Sequence, residues 1–115
     1  MNISRGDIYW YDFPSNVEGP MKGPHPAVVV ANDVINFAKG SVTIVVAVTS
    51  TVHDRPYPHE VIVNHKGCGL DTPVTIKCNQ IFTVPKDSLM NRVGRLPLSI
   101  IKQVDEALKI SLGLK

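Results

Sequence analysis

Cysteine is scarce in this chain, charge of one sign is barely in excess of the other, and long apolar runs are missing. Only two of the 115 residues are cysteine, Cys68 and Cys78, too few for a disulfide framework. In a reducing compartment they read as two small, half-buried side chains. The net charge is +2, with lysines and arginines scattered along the chain. That excludes a basic tail or stripe for duplex DNA and leaves nucleic acid only a local cationic groove. No apolar run approaches the roughly 18 residues needed to cross a bilayer. Met1–Asp7 is polar and leads straight into a strand pattern, so no signal peptide is expected and the expected location is the cytoplasm. Repeats, low-complexity segments and linkers are also lacking, which predicts a single domain over residues 1–115.

What is present is a hydrophobic fraction of 43%, enough for a real core. Ile8–Phe13 alternates like a strand. Pro14–Pro26 carries four prolines and two glycines and reads as a loop, long enough to suggest function. Ala27–Ala31 and Val42–Val48 are short apolar, β-branched runs that suit buried strands. Asn32–Gly40 is a connector with a helical turn, and His59–Val63 is a short strand. Val74–Val84 predicts one bent strand or two short ones, with Lys77 and Asn79 on one face and Cys78 and Gln80 on the other. Leu98, Ile101, Val104, Leu108 and Leu112 mark one face of a helix, with Pro97 at its start and Gly113 at its end. The pattern is mainly β: a small, strongly bent antiparallel sheet or barrel with a C-terminal helix.

Several residues could carry chemistry. His25 lies between Pro24 and Pro26, which restrict its backbone and pre-position an imidazole able to exchange a proton near neutrality. The same spacing fits an ordinary stiffened loop. Thr49, Ser50 and Thr51 end the most apolar strand; their hydroxyls can bond a phosphate oxygen or the turn backbone. Lys77 and Asn79 could clamp an anion, or face solvent. His53, His59, His65 and Cys68 make only one close pair, where structural zinc ordinarily shows two. A Cys–His nucleophilic pair has no motif to support it. Arg92 and Arg95 frame Gly94 and could extend an RNA groove, or be solvated surface arginines.

Five blocks in order, "RGDIYWYDF" (5–13), "GPHPAVVVAND" (23–33), "IVVAVTST" (44–51), "IKCNQIFTV" (76–84) and the end "IIKQVDEALKISLGL", resemble the MazF/PemK family. These are toxins of bacterial toxin–antitoxin pairs. The resemblance runs from about Arg5 to about Leu114. It implies an SH3-like barrel with a terminal helix, a homodimer, and an mRNA interferase that cuts single-stranded RNA at short specific sequences without a metal or other cofactor. In that chemistry the RNA 2′-OH attacks the adjacent phosphorus, leaving a 2′,3′-cyclic phosphate or 3′-phosphate and a 5′-hydroxyl. A proton must leave the 2′-OH, another must reach the 5′-oxygen, and charge on phosphorus must be stabilised.

Carried over position by position, the resemblance puts His25 where the family has an arginine, Thr49 at its threonine or serine, and "KCNQ" where one branch has "RCDQ". Histidine can transfer a proton at neutral pH but loses the bidentate phosphate grip. Lys77 keeps a charge, and Asn79 cannot act as a base. The expected catalytic residues are therefore His25, Thr49 and Lys77, with Lys22, Ser50, Asn79, Arg92 and Arg95 binding RNA. The alternative is a non-catalytic SH3-like toxin or binding module acting on a protein partner. Cys78 and Gln80 read as core or structural, Trp10 and Tyr11 as core, as dimer interface or as a stacking face for a base, and Pro14–Pro26 with Lys22 as a flap. The implied partner is an antitoxin whose acidic, disordered tail would suit Lys22, Lys77, Arg92 and Arg95. DNA would be reached only through that antitoxin, and no membrane is involved.

Overall fold

The computed structural model describes residues 2–16, 18–64 and 68–115. Six strands form one curled antiparallel sheet: β1 (Asp7–Phe13), β2 (Gly23–Val29), β3 (Val42–Thr49), β4 (Glu60–Val63), β5 (Val74–Pro85) and β6 (Arg92–Arg95). Their spatial order is β4-β5-β3-β2-β1-β6. A short helix, α1 (Asp33–Phe37), follows β2, and a longer one, α2 (Leu98–Leu112), ends the chain. The expected architecture is what forms, a bent sheet with a C-terminal helix. No helix among the described residues is long and apolar enough to cross a membrane.

β2 begins earlier than the proline content predicts. Gly23–Pro26 is strand, with His25 opposite Tyr11 and Pro26 opposite Trp10. The reason is directional. The Val30 N–H points toward β3, donating to the Ile44 carbonyl at 2.9 Å, while the Val29 carbonyl accepts from Gly6 on the β1 side. By alternation Pro24 and Pro26 lack their N–H on the β3 side, and β3 pairs with β2 only from Ala27 onward. The prolines cost no ladder bond.

β5 is one strand, strongly bent. Against β3, Val46 lies opposite Ile81 but Ala47 lies opposite Lys77, so Cys78, Asn79 and Gln80 have no partner there. This wide bulge bends the strand and resets its alternation. On the other side, the Cys78 N–H donates to the His59 carbonyl at 3.1 Å, tying the bend to β4.

The sheet buries both faces. Ile8, Val28, Val46, Val48, Ile76 and Cys78 pack under α2, while Tyr9, Phe13, Ala27, Val29, Val45 and Ala47 form the other layer. The helix meets the sheet through Ile100, Val104 and Ala107, flanked by Ile101 and Leu108. Leu98 and Leu112, expected on that face, are exposed, because the buried stripe centres on Ile100, Val104 and Ala107 and turns those two leucines away from the sheet. Gly113 closes α2 in the left-handed region, at φ 69°, as its position predicts. The segment after β4 returns against β6 so closely that a Cβ on Gly94 would stand 1.9 Å from the Cys68 carbonyl oxygen.

Candidate active site

Two hollows meet at the end of β3. The first, of about 430 Å³, is lined by Gly19–Lys22 from the β1–β2 loop, by Thr49, Thr51 and His53, and by Glu60, Lys77 and Gln80. The second, of about 380 Å³, is lined by Trp10, Pro24, His25, Pro26, Val48, Thr49, Ser50 and the 69–74 segment. Of the described residues, Thr49 alone lines both.

The strands dictate this meeting. Ala27 lies opposite Ala47, so the path of β2 carries His25 toward the level of Thr49, though the ladder itself stops at Ala27. Ala47 lies opposite Lys77 and Thr49 opposite Thr75, which puts Lys77 on the Thr49 face. Behind Thr49 the chain is pinned twice. The Thr51 N–H donates to Thr49 Oγ1 at 3.2 Å, and Thr75 Oγ1 donates to the Thr51 carbonyl at 2.8 Å. Since Thr49 Oγ1 accepts from the backbone, its own O–H remains to be given to a ligand oxygen. Both fates foreseen for this hydroxyl are thus compatible.

Lys77 is anchored by a residue the sequence did not single out. Glu60, whose side chain is 1% exposed, accepts from Lys77 Nζ at 2.9 Å through Oε2. Its Oε1 accepts the Tyr57 N–H at 3.0 Å, and the Glu60 N–H donates back to the Tyr57 carbonyl at 2.9 Å. Burial by itself would raise the Glu60 pKa. The Tyr57 N–H, the Lys77 ammonium and nearby His59 outweigh it, and the carboxyl stays below its usual range. An ionised Glu60 fixes one of the three Lys77 N–H donors and leaves the others toward the hollow. The one available signal was an acidic residue opening the otherwise apolar strand "EVIV".

The other expected site residues divide. Lys22 lines the first hollow, and His25 and Ser50 line the second. The loop before them is shorter than expected, since Gly23–Pro26 is strand, and its Met21 N–H donates to Gln80 Oε1 at 2.6 Å. Gln80, read as core, therefore belongs to the first hollow beside Lys77, because the bulge breaks simple alternation. The same bulge leaves Asn79 exposed and in neither hollow. Arg92 and Arg95 also line neither; both reach the buried Asp7 carboxylate on β1, at 3.3 and 3.0 Å. Trp10, 41% exposed, offers its ring to the second hollow, whereas Tyr11 points to the other layer and packs edge-on against Phe13. Cys78 is buried, and its thiol is pushed up to about 12 by that burial, which disqualifies it as a nucleophile. Of the residues weighed for zinc, His65 lies outside the described residues. Among those described, no three histidine, cysteine or acidic residues gather as a ligand set.

Known proteins resemble this chain along nearly its whole length. A family model described as PemK-like, MazF-like toxin of type II toxin–antitoxin system matches residues 4–112. Endoribonuclease EndoA of Bacillus subtilis (strain 168) is 32% identical over 114 residues, covering 99% of this chain and 97% of that protein. An endoribonuclease from a mycobacterial species, solved in complex with its cognate antitoxin, superposes with a TM-score of 0.80 at 24% identity, over 96% of this chain and 95% of that one. MazF from Deinococcus radiodurans does so with a TM-score of 0.81 at 19% identity, over 99% of each. At these identities the two structural likenesses speak for the fold.

Proposed function

The chain belongs to the PemK-like, MazF-like toxins of type II toxin–antitoxin systems, and from that premise we propose an endoribonuclease that cuts single-stranded RNA at the two joined hollows. The observation that carries the reading is the position of Thr49, with His25 in the hollow on one side and Lys77 in the hollow on the other.

The scissile phosphate sits at Thr49. The Thr49 hydroxyl and the Lys77 ammonium bind its non-bridging oxygens, where charge grows as the pentacoordinate phosphorus forms. His25 takes the proton from the 2′-OH as that oxygen attacks phosphorus and the bond to the 5′-oxygen breaks. The nucleophile is the substrate's own, so the protein supplies proton transfer, charge stabilisation and alignment. Lys22 guides the backbone into the first hollow, Ser50 holds the strand at the second, and Trp10 gives a base a face to stack on. Asn79, Arg92 and Arg95 serve at most the outer path of the RNA.

The same cationic hollow suits a cognate antitoxin with an acidic, disordered tail that folds over it and blocks RNA. We read the toxin as a homodimer of single-domain chains, residues 1–115, acting in the cytoplasm and reaching DNA only through that antitoxin.

The test is to incubate the protein and its His25→Ala variant with a long single-stranded RNA in EDTA, then map cut positions and end chemistry. Discrete cuts with cyclic-phosphate and 5′-hydroxyl ends, lost in the variant, are expected. Cuts that persist in the variant move the proton transfer away from His25. No cuts by folded wild type across several RNAs overturn the activity.

A further inference from the structure

The in-line reaction has two ends, and His25 can serve only one of them. The attacking 2′-oxygen and the departing 5′-oxygen lie on opposite sides of phosphorus. The group that takes a proton and the group that gives one must therefore flank it. Thr49 has a hollow on each side, and among the described residues each hollow is lined by one histidine: His25 in the second, His53 in the first.

We propose that His53 is a second catalytic residue, the general acid that protonates the leaving 5′-oxygen. The inference rests on the ribonuclease reading above and adds a residue that reading does not use. Three observations carry it. His53 lines the hollow that holds Lys22, Lys77 and Thr49. Its loop is pinned on both sides, at Thr51 by Thr49 and Thr75 and at Tyr57 by the reciprocal bonds to Glu60. The only carboxylate lining that hollow among the described residues, Glu60, is already occupied by the Tyr57 N–H and Lys77. It stays ionised and has no proton to give. His59, by contrast, stacks on Tyr57 at 5.4 Å and lines neither hollow.

The charges assign the direction. As the bond to the 5′-oxygen breaks, negative charge collects on that oxygen, and the first hollow, where Lys22 stands and Lys77 already grips the non-bridging oxygens, is the cationic side toward which it departs. The second hollow is walled by Trp10, Pro24, Pro26, Val48 and Leu70, and its one carboxylate among the described residues, Asp71, has the sign that favours the charge His25 gains as a base. In the step, neutral His25 accepts the 2′-OH proton and the 2′-oxygen bonds to phosphorus. The bond from phosphorus to the 5′-oxygen breaks, and the His53 imidazolium gives its proton to that oxygen. The products are a 2′,3′-cyclic phosphate and a 5′-hydroxyl. Exchange with water then returns both imidazoles to their starting states.

The test uses two RNAs that share a mapped cut site, one ordinary and one with sulfur in place of the bridging 5′-oxygen. A thiolate leaves without being protonated, so the sulfur substrate has no need of the acid. His53→Ala and His53→Gln are expected to slow ordinary RNA by about 10²–10⁴-fold, while cutting the sulfur substrate within a few-fold of wild type. His25→Ala is expected to slow both. His53 lies on an exposed loop, so both His53 variants keep the wild-type thermal midpoint. Equal losses on the two substrates make His53 a binding residue and overturn the proposal, as does no loss on either. Wild type that cuts neither RNA overturns the ribonuclease reading itself, a result distinct from both.

Discussion

Glu60 holds Lys77 in place from beneath: the glutamate side chain is 1% exposed and the lysine side chain 23%, and a 2.9 Å contact joins them across the β4–β5 pair. One partner is buried structure and the other reaches the hollow. Glu60→Gln removes the charge and keeps the shape, while Lys77 can still turn to water. Urea unfolding should show a loss of about 1–3 kcal/mol, and RNA cleavage should fall as Lys77 leaves its position. Adding Lys77→Met to that variant should recover stability without recovering cleavage.

The same pair gives stability an acid limb. Glu60 is held below its ordinary range in the folded state, as is Asp33, by the Arg5 N–H and the Asn36 side chain. A carboxyl with a depressed folded pKa contributes stability that is complete above its unfolded value. That contribution is lost as pH falls through the folded value. Urea midpoints measured between about pH 5 and about pH 2 should therefore decline, and decline less steeply in the Glu60→Gln, Lys77→Met double variant.

Thr49 tests the claim that a hydroxyl, rather than its shape, serves the phosphate. Thr49→Val should lower the cleavage rate by about 10²-fold or more, and Thr49→Ser should keep most of it. Single-turnover rates at saturating protein separate this from weaker RNA binding.

Cys78 should be inert in the native protein. Its thiol is pushed up to about 12, so at pH 8 almost none is thiolate. Alkylation by iodoacetamide, followed by mass spectrometry, should be slow at Cys78 in buffer and fast in concentrated urea.

Gly94→Ala should be among the most damaging small changes. The added methyl would stand 1.9 Å from the Cys68 carbonyl oxygen, backbone against backbone. A loss of at least about 2 kcal/mol in urea unfolding is expected, because neither segment can yield without moving β6.

Elements with strong local signals were legible in the sequence. β1 follows alternation, β3 its β-branched run, and α2 its three- and four-residue spacing, with bounds at Pro97 and Gly113. What escaped depends on partners distant in the chain. The start of β2 hides behind prolines whose missing N–H groups matter only if β3 is alongside, and there it is not. β6 has four residues, one of them glycine, and takes its strand form from β1. The site divides in the same way. His25 and Thr49 stand out by their own neighbours in sequence. Glu60 acquires meaning only from Lys77, 17 residues on, and Gln80 only from a bulge that alternation cannot foresee. Arg92 and Arg95 looked free for RNA because their partner, Asp7, lies at the other end of the chain.

The bulge at Cys78–Gln80 makes β5 two rulers joined end to end. Each half keeps its own register with β3, and the three residues between them set the phase of one against the other. A one-residue deletion that the joint could not absorb would slip one half by a residue against β3 and turn that half inside out. Either Val84 would move toward solvent, or Lys77 would leave Glu60 and the hollow. The length of this joint therefore governs which side chains the first hollow receives.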